Sequence, residues 1–192
     1  LLLIHYMAGY KKNTGKVVVS FSTTGKIENL CRYYNLEVIR THVGFREASK
    51  IMTEEQVMIA GEESGGISPG YGIPERDAIR SGLMVMQWMA DTGKSLEELF
   101  REVISITGPF AYERGNLEMN RNARNKIMEH CGNGTYSHFG RFTVDHFEVF
   151  DGFKFFFNHN EWLMIRSSGT EPVIRLYAEA ENQATAQEII FS

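Results

Sequence analysis

Only two cysteines, Cys31 and Cys131, occur in 192 residues. They stand too far apart for a CxxC redox or metal clip, and two thiols cannot build a disulfide framework, so a reducing cytoplasm is the expected setting. Long apolar runs are also missing. A membrane helix needs about 18 or more apolar residues, whereas the longest candidate, Gly82–Ala90, contains Gln87 and is about half that length. The opening stretch Leu1–Tyr10 has no preceding basic region and is followed rather than led by Lys11 and Lys12, so it does not read as a signal peptide. Excess charge of one sign is absent as well: 20 basic against 24 acidic residues leave −4. With no Lys/Arg cluster, neither nucleic acid nor a membrane is an expected partner. The familiar catalytic signatures are missing too. The six histidines at 5, 42, 130, 138, 146 and 159 form no HExxH or i, i+4 pair, and there is no GxSxG elbow, GxGxxG turn or Walker ending. No metal site and no self-contained nucleophile with its base is expected. Leu1, where natural chains usually start with Met, reads as a start inside something longer.

What is present is an ordinary globular composition, 43% hydrophobic and 23% charged, which excludes disordered and low-complexity classes. The first 60 residues alternate. A helical opening precedes the β-branched run 16–22. Ile27, Leu30, Cys31 and Tyr34 then keep the i, i+3, i+4, i+7 spacing of an amphipathic helix, followed by a strand over 36–43, a short helix over 45–52 and a strand over 57–60. Such alternation predicts a parallel sheet flanked by helices, with ligands beyond the carboxyl ends of its strands, which directs attention to the loop 61–72. Pro74 at a helix N1 position, with Glu75 and Asp77 in the first turn, predicts a helix burying Ile79, Leu83, Met86 and Met89 or Ala90. The methionines at 84, 86 and 89 read as core filler rather than a metal or peptide site. Ser95 and Glu98 form a capping box for 96–106, and Gly108-Pro109 stops that helix.

Beyond Pro109 the texture changes to a polar helix near 117–130, extended segments at 141–150, 153–157, 162–166 and 173–180, and a last helix from Gln183. Asp151-Gly152 between aromatic and β-branched runs is a hairpin signal. The expected fold class is therefore an α/β parallel-sheet domain over 1–110 followed by a smaller α+β domain with an antiparallel sheet over 111–192.

Two loops carry candidate chemistry. Gly61-Glu62-Glu63-Ser64-Gly65-Gly66 follows the third strand and places carboxylates and a hydroxyl where glycines permit close approach, as gripping a sugar ring requires. A glycine-rich turn with solvated acids would have the same sequence. Arg166-Ser167-Ser168-Gly169-Thr170-Glu171-Pro172, with Arg175 beyond, offers guanidinium forks, hydroxyls and backbone N–H groups to a phosphate. It would equally suit a hairpin whose Arg pairs with Glu171. His42 and Arg46 in THVGFR end the second strand near the same sheet edge; His42 alone reads as structural.

Together, in this order, GEESGG and RSSGTEPVIR resemble the GExSG and RxSGTEPxxR loops of the α-D-phosphohexomutases, the phosphoglucomutase/phosphomannomutase family, and the segments THVGFR and GIPERDAIRSG are similar too. The resemblance spans essentially the whole chain and implies that it is the C-terminal half, domains 3 and 4, of an enzyme interconverting hexose 1-phosphate and hexose 6-phosphate through a bisphosphate. By that resemblance Gly61, Glu62, Ser64, Gly65 and Arg46 would hold ring hydroxyls, Arg46 standing where many members carry Lys. Arg166, Ser168, Gly169, Thr170 and Arg175 would hold the phosphate that is not transferred. The family's phosphoserine loop and DGDxDR magnesium loop have no match, so Mg²⁺ and the nucleophile would come from missing N-terminal domains 1 and 2. Hexose 1,6-bisphosphate would be activator and intermediate, and this chain alone would be inactive. The alternative is a non-catalytic sugar-phosphate-binding regulatory module, complete at this length.

Overall fold

The computed structural model describes every residue, Leu1–Ser192, and divides into two compact units, Leu1–Gly108 and Pro109–Ser192. In the first unit α1 (Leu2–His5) runs on as a π-helical turn, Tyr6–Tyr10, and is followed by β1 (Lys16–Ser20), α2 (Lys26–Tyr33), β2 (Val38–Thr41), α3 (Phe45–Glu54) and β3 (Val57–Gly61). Strands β2, β1 and β3 pair in parallel in that order. The central strand explains its own β-branched sequence. Val17 and Val19 face a core built with Leu3, Met7, Leu30, Trp88 and Leu99, whereas Val18 faces the other way onto Phe45, Ala48, Val57 and Ala60. A strand covered on both faces has no solvent side to mark with polar residues.

The segment 61–72 is not wholly a loop. It contains β4 (Ile67–Pro69), antiparallel to β3, so the sheet closes on an edge strand and the glycine loop becomes a tight β3–β4 connection. Immediately after it, Gly70 donates its N–H to the Met58 carbonyl, and a Cβ there would lie 1.5 Å from the Val57 carbonyl oxygen.

Helix α4 (Ala78–Thr92) starts later than Pro74 predicts. Asp77 is extended, its N–H is committed to the Ile67 carbonyl, and its side chain caps the helix by accepting from the Arg80 N–H at 2.8 Å. The buried face also differs from the one expected. Ile79, Leu83 and Met86 are 79%, 59% and 65% exposed, while Trp88 is fully buried and Met84, Val85 and Met89 pack on the core. The sequence is apolar almost all round, so spacing could not choose the face; the largest apolar side chain took the fully buried place. Met86 is thus not core filler, unlike Met84 and Met89. Helix α5 (Leu96–Thr107) has the expected capping box, and Gly108 follows it.

The second unit is a five-stranded antiparallel sheet in the order β5 (Ala111–Glu118), β11 (Val173–Ala180), β10 (Glu161–Ser167), β9 (Phe153–Asn158), β8 (His146–Val149). Helices α6 (Arg121–Gly132) and α7 (Gln183–Ile190) contribute Cys131, Ala186, Ile189 and Ile190 to a core with Phe155, Leu163, Ile165, Ile174 and Leu176. A two-stranded ribbon, β6 (His138–Phe139) with β7 (Phe142–Thr143), precedes β8. Strand β5 was hidden in the sequence. AYERGNLE has no apolar alternation, and its conformation comes from eight residue pairs with β11 rather than from its own pattern. Consequently the polar helix begins at Arg121, not near 117, with Asn120 as its side-chain cap. The Asp151-Gly152 turn joins β8 to β9 as expected. Gly152 has φ +104°, and a Cβ there would come within 2.6 Å of the Ile165 carbonyl oxygen.

Candidate functional site

In the first unit the carboxyl ends of β1, β2 and β3 gather the polar groups. The β3–β4 connection is pinned by Glu62 N–H to the Gly66 carbonyl at 3.0 Å and Gly65 N–H to the Glu62 carbonyl at 3.1 Å. Its two carboxylates go separate ways. Glu63 turns back to β1 and accepts from Ser20 Oγ at 3.2 Å and Ser22 Oγ at 2.5 Å, which makes it a structural tie. Glu62 Oε1 accepts the Gly44 N–H at 2.8 Å and Oε2 faces Arg76 Nη1 at 3.4 Å, with its side chain only 8% exposed. Gly44 has φ +114°, a conformation that glycine adopts without strain and that turns its N–H to the carboxylate.

Ser64 and Gly65 are exposed at the tip of the turn. Arg46, in the first turn of α3, is exposed. His42 is engaged: its Nδ1 and its backbone N–H both lie 2.9 Å from Glu47 Oε2, and these bonds hold the Glu47 carboxyl below the usual carboxylate range. The β3–β4 connection thus carries Glu62 and Ser64, and the Gly44 N–H bond to Glu62 ties it to the start of α3, where Arg46 lies and His42 is engaged by Glu47.

In the second unit the loop between β10 and β11 carries the other residues. Ser168 Oγ accepts from the N–H groups of Thr170 and Glu171 at 3.4 and 3.3 Å, and Ser168 N–H bonds to the Val173 carbonyl, so the hydroxyl shapes the loop. Arg166 and Arg175 are direct cross-strand partners. Each has its own carboxylate: Arg166 Nε meets Asp151 Oδ2 at 2.9 Å, and Arg175 Nη2 meets Glu171 Oε2 at 2.8 Å. Arg175 Nε is buried with no acceptor at hydrogen-bonding distance. Arg124, from α6, donates to the Glu171 carbonyl at 3.1 Å. Thus Glu171 pairs with Arg175 rather than Arg166.

Sequence reasoning gave no role to Arg76 or Arg124, and read Asp151 only as a turn residue. Arg76 lies inside GIPERDAIRSG, but nothing in that stretch reveals that it reaches Glu62. A cavity of about 530 Å³ lies at the opposite, amino end of the parallel strands, lined by Lys12, Lys16, Tyr34, Asn35 and Glu37 among others. It contains none of the candidate residues, and Lys16 there is neutralised by Glu37 and Glu55 at 3.2 and 2.5 Å. No group of three or more His, Cys, Asp or Glu side chains converges to hold a metal ion, and no helix is long and apolar enough to cross a membrane.

Residues 1–106 match the model of phosphoglucomutase/phosphomannomutase alpha/beta/alpha domain III, and residues 118–190 match that of the phosphoglucomutase/phosphomannomutase C-terminal domain. The chain belongs to the phosphoglucomutase/phosphomannomutase family. Both loops fall inside the matched segments. It is 27% identical over 180 residues to a phosphoglucomutase/phosphomannomutase of Thermococcus kodakarensis, covering 92% of this chain and 36% of that protein. To a phosphoglucosamine mutase of Methanococcus vannielii it is 30% identical, covering 94% and 38%. A solved structure described as a phosphomannomutase of Thermus thermophilus superposes with a TM-score of 0.80 at 26% identity, covering all of this chain and 38% of that one. The chain therefore spans well under half the length of these family members. The same fold, at 15% identity, is found in N-acetylphosphoglucosamine mutase of Aspergillus fumigatus. One structure of it holds glucose 1,6-bisphosphate, with a TM-score of 0.60 and 98% and 40% coverage. Another holds GlcNAc-6P and magnesium, with a TM-score of 0.58 and 98% and 43% coverage.

Proposed function

We propose that this chain is the sugar- and phosphate-holding part of a phosphohexomutase that interconverts hexose 1-phosphate and hexose 6-phosphate by way of a bisphosphate. The observation that carries the reading is the cross-strand pair of guanidiniums, Arg166 and Arg175, at the foot of a loop in which the space beside Gly169 is open. Arg166, Ser168, Gly169, Thr170 and Arg175 hold the phosphate that stays on the sugar. Glu62, Ser64 and Arg46, with the backbone at Gly61 and Gly65, hold ring hydroxyls.

The reaction needs such positioning more than it needs reactive groups. A bisphosphate that must present first one end and then the other to a fixed nucleophile requires a grip tolerant of both orientations, with charge complementary to the idle phosphate. The side chains of this chain supply the grip. They do not fit the family's magnesium, since no carboxylate cluster is present. Mg²⁺ and the phosphorylated nucleophile belong, in this reading, to domains 1 and 2 of the longer polypeptide. Two free, buried thiols, Cys31 and Cys131, fit a cytoplasmic setting. A non-catalytic binding module is not favoured, because the relatives are named mutases.

The test is an assay of the complete polypeptide with glucose 1-phosphate, Mg²⁺ and glucose 1,6-bisphosphate. Formation of glucose 6-phosphate that falls at least about fivefold in R166A supports the reading. Turnover unaffected by losing Arg166 contradicts it.

A further inference from the structure

Glu62 is nearly buried, and an ionised carboxylate in such a place needs a counter-charge and a fixed orientation. The Gly44 N–H fixes one oxygen. Arg76 faces the other, and Arg76 is itself tied down. Its Nε donates to Glu75 Oε1 at 3.0 Å, its backbone N–H donates to the same oxygen at 2.7 Å, and its guanidinium lies 5.6 Å from the centre of the Phe45 ring. The next residue, Asp77, is fixed at both its N–H and its side chain, so the Arg76 backbone enters the site from an anchored point.

Gly66 supplies an independent observation. A Cβ at position 66 would lie 2.5 Å from Arg76 Cδ, 3.2 Å from Cγ and 3.4 Å from Glu62 Oε2. The last glycine of GEESGG is therefore the groove through which the arginine stem reaches the carboxylate. Its φ is not in the left-handed region, so packing rather than backbone conformation accounts for the glycine.

We propose that Arg76 is the positioning residue of Glu62, holding the carboxylate in place before sugar arrives, with Gly66 kept open for its side chain. The inference rests on the reading of Glu62 as a sugar ligand and adds a residue that acts through it. A carboxylate has about four acceptor directions. Gly44 and Arg76 occupy one on each oxygen, which leaves the others aimed and available to hydroxyl donors.

The experiment compares R76A, R76K, R76Q, G66A, E62Q and the double variant R76A/E62Q in the complete enzyme. Thermal unfolding serves as a check on folding, with glucose 1-phosphate as substrate and inorganic phosphate as competing inhibitor. Misplacing a binding group costs about tenfold or more, so R76A and R76Q should lose roughly tenfold in kcat/KM, chiefly through KM. Phosphate inhibition should be unchanged, and R76K, which keeps the charge, should recover most of the loss. G66A should reproduce the R76A defect, because the new methyl displaces the stem. On top of E62Q, R76A should add less than about threefold, since residues acting through one contact are not additive. Full activity in a folded R76A or R76Q, or losses in R76A and E62Q that multiply, would overturn the proposal for Arg76 while leaving Glu62 as a ligand. An E62Q enzyme with unaltered sugar kinetics would overturn both.

Discussion

Arg166 and Arg175 stand directly opposite one another on β10 and β11. Cβ atoms of such a pair are about 5 Å apart, and like charges so placed repel. The fold tolerates the repulsion through Asp151 and Glu171, one carboxylate for each guanidinium. An anion held between the two arginines would relieve what the carboxylates only divide. Phosphate should accordingly raise the unfolding temperature of the second unit. Its effect follows RT ln(1 + [L]/Kd), about 2.7 kcal/mol at a hundredfold excess over Kd, and R166A should abolish it. A phosphate-dependent shift of equal size in R166A would place the anion elsewhere.

A pH effect is expected from Glu102, on α5 of the first unit. Burial opposes ionisation of Glu102, but bonds from Lys94, Tyr10 and the buried His5 outweigh it and hold the carboxyl down to about 2 from an ordinary 4.5. The folded value lies below the unfolded one, so this group's stabilisation is complete above about pH 4.5 and disappears as the pH falls towards 2. E102Q should therefore flatten the acid limb of the stability curve of the first unit between those values. An acid limb identical to that of the parent protein would show that the network contributes nothing.

Two glycines should respond to alanine in opposite senses. At Gly70 the added Cβ meets the Val57 carbonyl at 1.5 Å, so G70A must break the β3–β4 contact and cost roughly 3 kcal/mol or more. At Gly82, within α4, nothing lies within 4 Å of the new Cβ, and G82A should stabilise by roughly 0.4–1 kcal/mol. Denaturant midpoints at constant m measure both. A stabilised G70A or a strongly destabilised G82A would contradict the packing described.

The chain as it stands should have no mutase activity, because none of its side chains converge to hold a metal ion and, in the proposed reading, the phosphorylated nucleophile belongs to domains 1 and 2. Incubation with glucose 1-phosphate, Mg²⁺ and glucose 1,6-bisphosphate should yield no glucose 6-phosphate above a heat-killed control. Turnover would mean that the catalytic group lies among these 192 residues.

The α/β half was legible where periodicity and burial coincide. Val17 to Val19 could only be a strand covered on both faces, and Ser95 with Glu98 could only open a helix. It was illegible where the sequence is uniform. Helix α4 is apolar on nearly every side, so Trp88 chose the buried face by size, and β5 mixes polar and apolar residues without alternation, so pairing with β11 chose its conformation. The site divides the same way. Glu62, Arg166 and Arg175 stand out as charges beside glycines in short loops. Arg76 does not, because its role depends on a chain path that brings residue 76 to residue 62 across an edge strand.

The most direct test of two separate grips is a pair of constants measured on the complete enzyme for E62Q and R166A: kcat/KM for glucose 1-phosphate and the inhibition constant of inorganic phosphate. Both variants should lose roughly 1–3 kcal/mol in kcat/KM, a factor of about 5 to 150. Phosphate inhibition should weaken by a similar factor in R166A and stay unchanged in E62Q. Equal losses of phosphate affinity in the two variants, or none in either, would contradict the division of sugar and phosphate between the two loops.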